Sequence, residues 1–181
     1  MHRVAKRLMI GLVPVIAAVV LAGESTPTIK IRDDCQPGTF NLPPPDGAGP
    51  GVCQANFSGN TSFSKFIDEL TKHQNAPLWR FTPLNRDVEA GTQLSLDNYG
   101  GEVHTFTRVQ AFGGGFVLPL NALSGNPIPA PECLSSGVSG TFVPAGAEDQ
   151  PGPILQSGDR GKTVKFQCCI HPWMRSEVKV R

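Results

Sequence analysis

The chain has 181 residues, a formal charge of +1 and 17% charged residues, which excludes a disordered polyelectrolyte and a strongly basic nucleic-acid binder. Glycine and proline number 20 and 17, so turns are frequent and long helices few, as in an all-β sandwich or barrel. Cysteine occurs five times, an odd number that in an oxidising compartment leaves one thiol after two disulfides.

The N-terminus sets that compartment. Arg3, Lys6 and Arg7 precede an apolar run over residues 8–22, and Gly23 follows, the pattern of an export signal over residues 1–22. The run is short of the roughly 20 residues that cross a bilayer, and Pro14 interrupts it, so no stable membrane insertion is expected after signal removal. The mature chain is expected to be secreted, periplasmic or extracellular. Losing residues 1–22 removes three of the 16 basic residues and none of the 15 acids, for a mature charge of 13 − 15 = −2. Such a chain has no electrostatic attraction to nucleic acid.

Residues 23–77 read as an N-terminal extension of loop and one short helix. Residues 24–60 are loop-like, with Pro43-Pro44-Pro45 and Gly49-Pro50-Gly51 bracketed by Cys35 and Cys53. A Cys35–Cys53 disulfide would close this stretch, which has little apolar surface of its own. Phe63, Phe66, Ile67 and Leu70 then follow helical spacing behind Ser62, an N-cap candidate, and the helix should end near His73. His73, at a polar helix end, reads as solvated.

A period of two begins at Leu78 and opens a domain over residues 78–181. Strands are expected at Trp79–Thr82, through Leu94 and Leu96, over 103–109, over 163–168 and over 177–180, with a long Gly/Pro-rich excursion at 111–160 that holds a short strand at 141–143. Alternation along 163–168 puts Phe166 and Cys168 on one face and turns Cys169 away. Cys169 is therefore expected to pair with Cys133, which leaves Cys168 free.

The segment Cys168-Cys169-Ile170-His171-Pro172-Trp173-Met174 carries the chemistry. It sets a thiol, an imidazole and a thioether at C-x-x-H-x-x-M spacing on a strand and the tight loop that follows. Soft and borderline donors of this kind suit copper, and two His, one Cys and a weak axial Met form the blue-copper arrangement. The second His is His104 or His73; His104 lies on a strand behind Gly100-Gly101, a rigid place for a ligand. Structural zinc sites use more thiolates and do not recruit Met. A Cys168–Cys169 redox switch would leave His171 and Met174 unexplained.

At these residues the chain resembles the cupredoxins. Residues 166–180 are similar to their copper loop, with a spacing like that of amicyanin, and residues 91–109 resemble the segment that supplies the first His in plastocyanin-like domains. The resemblance implies a Greek-key β-sandwich with long loop insertions. It also implies one copper ion per chain, held by His104, Cys168 and His171 with Met174 axial, and one-electron transfer. Thr105 stands where many cupredoxins place Asn, and Ile170 where amicyanin-like loops place Pro. In the family the second His exposes a ring edge where partners dock, so a redox partner is expected near His171, Pro172 and Trp173. The alternatives are copper delivery or sequestration with the same ligands, and a non-redox surface module. An enzyme is not expected, because the chain has no His-x-His pairs of the kind a multicopper oxidase needs.

Overall fold

The computed structural model describes residues 26–134, 138 and 141–181. The expected signal segment lies outside them. Ten strands account for most of the regular structure: β1 (Thr28–Arg32), β2 (Arg80–Thr82), β3 (Asn85–Val88), β4 (Gln93–Asn98), β5 (His104–Thr105), β6 (Thr107–Val109), β7 (Phe142–Val143), β8 (Gln150–Ile154), β9 (Thr163–Gln167) and β10 (Arg175–Val180). One sheet runs β2-β1-β4-β8 and a second β3-β10-β9-β6, while β5 and β7 form a two-stranded ladder. The β1–β4 and β10–β3 pairs are parallel and the remaining pairs antiparallel.

The two larger sheets pack face to face, each presenting apolar side chains to the other. In β1, Ile29 and Ile31 are fully buried while Lys30 and Arg32 face water. Leu94 and Leu96 of β4 join them from the same sheet, and Val164, Phe166, Val178 and Val180 come from the other, in one apolar cluster. Phe106 crosses it, stacked on Phe166 at 4.4 Å between ring centroids and edge-on to Phe81 at 5.1 Å. The molecule is the β-sandwich the sequence implies.

Four α-helices decorate it among the described residues: α1 (Pro37–Phe40), α2 (Phe63–His73), α3 (Leu118–Leu123) and α4 (Pro131–Leu134). Helix α2 begins as expected, with Ser62 Oγ accepting a bond from Lys65 N, and it ends with Gln74 in the left-handed region. Phe66 and Leu70 are its buried face, and His73 is exposed.

Three differences from the sequence expectation matter. The loop read over residues 24–60 contains β1, so the sheet runs across the boundary expected between residues 77 and 78. Its five-residue alternation is brief and adjoins a long loop, which hid it. The strand expected over 103–109 is interrupted at Phe106, whose backbone N–H donates instead to Thr141 O. Strand β8 carries Pro151, Gly152 and Pro153, residues that argue against a strand interior but are tolerated at a sheet edge, where β8 lies.

Candidate metal centre

Both disulfides form where alternation and bracketing put them, at Cys35–Cys53 and Cys133–Cys169, and Cys168 is the free, buried thiol. Cys169 packs with Val109, Ala130 and Cys133 in a separate small apolar cluster. The neighbouring cysteines thus serve opposite sides of one strand end.

Two segments bring the ligands together. His104 opens β5, directly after a turn knitted by Asn98, whose amide donates to the carbonyls of Glu102, Val143 and Pro144. Cys168 follows β9 at the start of a loop that closes on itself: Cys168 N donates to Met174 O at 3.0 Å, and Met174 N to His171 O at 2.9 Å. The two segments meet at three atoms. His104 Nδ1 and His171 Nδ1 lie 3.2 Å apart, and each is 3.8 Å from Cys168 Sγ. His104 and Cys168 are wholly buried and His171 is 3% exposed. Met174 is buried against the main core beside them.

Two carboxylates stand behind the imidazoles, and sequence reasoning had missed both. Asp33 Oδ2 lies 2.9 Å from His104 Nε2, and Glu102 Oε2 lies 3.5 Å from His171 Nε2 while also accepting from Trp79 Nε1. A carboxylate accepts, so His104 donates its Nε2 proton to Asp33 and its Nδ1 is the nitrogen that faces Cys168 Sγ. Asp33 follows an unrecognised strand, which left no signal for it. Glu102 had one, since it precedes His104 by two residues behind a Gly-Gly turn. Gly100 is required there, because a Cβ at that position would sit 1.8 Å from Asp33 Oδ2.

Charge follows this geometry. Burial opposes the Cys168 thiolate, but hydrogen bonds and charge from His104 and His171 outweigh it and hold the thiol well below its ordinary value. Burial likewise disfavours imidazolium at His104, yet Asp33 and Cys168 push it up to about 10. For Asp33 the desolvation cost is outweighed by His104 and by backbone N–H donors, so its carboxyl is lowered. Burial raises the carboxyl of Glu102.

Thr105 does the work that Asn would do in many cupredoxins. Its hydroxyl accepts from Cys169 N at 2.7 Å, and its own backbone N–H donates to Cys168 Sγ at 3.4 Å. The first ligand segment is thereby tied to the second.

The donor set fits copper: two imidazole nitrogens and a thiolate converge in a dry pocket, with a thioether in the same closed loop. Asp33, Glu102 and His104 also lie close together, but Asp33 already binds the N–H groups of Cys35, Gly101 and Glu102 as well as His104. That group is the outer support of the first. The expected exposed ring edge of His171 is absent: its far side meets Glu102, Pro172 is buried, and Trp173 packs edge-on to His171 at 5.3 Å.

In solved structures the likeness is to cupredoxins. A purple cupredoxin from Nitrosopumilus maritimus is 17% identical over 59% of this chain and 86% of its own, with a TM-score of 0.39. Auracyanin B is 18% identical over 56% and 80%, at a TM-score of 0.33. A dithionite-reduced auracyanin from Roseiflexus castenholzii is 16% identical over 56% and 87%, also at 0.33. No family model and no curated protein matches the chain. The case for a cupredoxin-type centre therefore rests on the convergence of the three ligand atoms.

Proposed function

We propose that this chain is an exported mononuclear copper protein that carries single electrons, in which His104 Nδ1, His171 Nδ1, Cys168 Sγ and Met174 would hold one copper ion. The observation that carries the proposal is the mutual approach of the two nitrogens and the sulfur, at 3.2, 3.8 and 3.8 Å, in a site where only His171 keeps a slight exposure. Copper supplies a one-electron couple between Cu(II) and Cu(I).

The residues of the chain do the rest. Strand β5 and the β9–β10 loop fix the ligands before metal arrives, so little has to move when the charge changes. Asp33 and Glu102 hold the two imidazoles in orientation, and Thr105 N–H donates to the thiolate. Phe106 and Phe166 belong to the apolar core that also contains Cys168 and keeps the site dry.

Burial also favours a carrier over a delivery protein. Delivery needs ligands that open, whereas this ligand set is buried and braced from behind. A redox partner would dock over Trp173, the half-buried neighbour of His171 and Pro172, and exchange electrons through His171 without touching its ring.

The test is the visible absorption spectrum of the copper-loaded protein. One copper per chain should give an intense thiolate-to-copper band, and Cys168→Ser should abolish it. A band that survives Cys168→Ser would refute the ligand set. Slow electron exchange with prompt copper release to a chelator would favour delivery.

A further inference from the structure

A cavity of about 630 Å³ reaches the metal centre from outside. Its walls come from three segments that enclose the far side of His171: the Pro/Gly loop over residues 44–52, helix α2 through Phe63, Phe66 and Ile67, and helix α3 through Leu120 and Leu123. Phe40, Phe116 and Ile170 complete an almost wholly apolar lining. The only ionisable side chains on it, among the described residues, are Glu102 and His171. The size and character are those of a small-molecule site rather than of a packing fault. His171 lies behind these walls, so a flat protein surface cannot reach its ring edge, whereas a small molecule in the cavity can.

The polar corner says what kind of molecule. Glu102 is 4% exposed, and its Oε2 is committed to Trp79 Nε1 and His171 Nε2. Its Oε1 accepts no hydrogen bond among the described residues, and Glu102 lines the cavity, so an occupant can bond to this oxygen. An anion would enter an apolar pocket that has no lysine or arginine in its lining to pair with it. A cation would have to shed its hydration between phenylalanine walls beside His171, a metal ligand on the reading above. An uncharged ring with one hydroxyl donor meets both conditions, placing the ring among Phe40, Phe63, Phe66 and Phe116 and the O–H on Glu102.

We propose that this cavity is a binding site for a neutral, planar aromatic alcohol of the phenol or naphthol class, held with its hydroxyl on Glu102 and its ring against the phenylalanines beside His171. The proposal concerns binding alone, so it stands or falls separately from the identity of the resident metal.

The probe is 2-naphthol, titrated into the mature chain with and without copper by calorimetry and tryptophan fluorescence. Naphthalene, 2-naphthalenesulfonate and 2-naphthylmethylammonium are run alongside. We expect one naphthol per chain in both metal states, bound about tenfold tighter than naphthalene, the contribution of one hydrogen bond to a charged acceptor. Glu102→Met should erase the advantage of naphthol over naphthalene. Leu120→Lys, on the cavity wall, should abolish binding of both. Phe116→Ala, at a position 38% exposed where folding is not at risk, should weaken both. Equal affinity for naphthol and naphthalene, tighter binding of the ammonium or sulfonate, or indifference to both wall substitutions would overturn the proposal. So would sedimentation showing a dimer that Leu120→Lys splits and naphthol leaves intact, since a second copy would then fill the cavity. A colourless copper complex that still binds naphthol would sink the electron-carrier reading and leave this one standing.

Discussion

Asp33 accepts hydrogen bonds from the backbone N–H groups of Cys35, Gly101 and Glu102 and from His104 Nε2, so four buried donors depend on one carboxylate. Its removal should loosen His104 and lower copper affinity about 10–100-fold, the usual effect of losing an outer-sphere partner. Competition of Asp33→Ala against a chelator of known affinity measures this, and unchanged affinity would show that the Nε2 contact does not orient the ring. Thr105→Val keeps the side-chain shape but removes the acceptor for Cys169 N, leaving a buried N–H unmet. We expect a loss of about 1–3 kcal/mol in denaturant unfolding and a shifted thiolate-to-copper band. Met174→Leu should keep that band and raise the reduction potential, because a thioether lone pair stabilises Cu(II) more than Cu(I). A lowered potential in voltammetry would exclude Met174 as the axial ligand.

Between elements, the ligand loop is held from outside by a glycine. A Cβ on Gly115 would lie 1.8 Å from Cys169 O, the atom that accepts the backbone N–H of Phe116. Backbone cannot yield as a flexible side chain does, so Gly115→Ala should displace the loop, cost about 1–3 kcal/mol and alter the copper spectrum. An unchanged spectrum would show that the loop is set from the β9–β10 side alone. Farther from the metal, Arg108 of β6 grips Asp159 with two hydrogen bonds of 2.8 and 2.6 Å, and Asp159 also accepts from Gln156 N at the 3-10 turn before β9. The Arg108 guanidinium holds the Asp159 carboxyl below its ordinary value of 3.8. A group whose folded value is depressed contributes its full stability above its unfolded value and loses it as pH falls through the folded one. Asp159→Asn should therefore cost about 1–2 kcal/mol at pH 7, and the two proteins should converge as the pH drops below about 4. Equal stability at pH 7 would mean that the pair is screened out.

Over the whole molecule, what was legible in the sequence is what is local in the sequence. Cys168, His171 and Met174 lie within seven residues, so their spacing alone announces a soft metal site. That Cys169 and not Cys168 is paired followed from the period of a single strand, and Cys133 was the partner left available. The strands with clean alternation and the capped helix α2 were legible for the same reason. Asp33, Glu102 and β1 were not read, because their roles arise only when β1 enters the sheet between β2 and β4 and brings residue 33 under the turn at residues 100–101. Strand β8 was hidden by its prolines, and the break at Phe106 by a run rich in β-branched and aromatic residues over 103–109 with no turn residue in it. The roofing of His171 belongs to the same class, since the loop over residues 44–52 shows in its sequence only that it turns.

The centre joins residues far apart in the chain: Asp33 meets His104 across 71 positions, His104 meets His171 across 67, and Thr105 meets Cys168 across 63. No fragment short of the assembled sandwich contains it. Loop closure on this scale is slow, because the entropy is spent before the contacts form. Metal capture and acquisition of the native topology are then two readings of one equilibrium. In urea, the thiolate-to-copper band and the tryptophan fluorescence should vanish at a common midpoint, and that midpoint should climb with free copper. Free copper at a thousand times its dissociation constant adds about 4 kcal/mol. Colour would be the sign that both ligand segments had found each other, and the metal would act as the last proofreader of the fold.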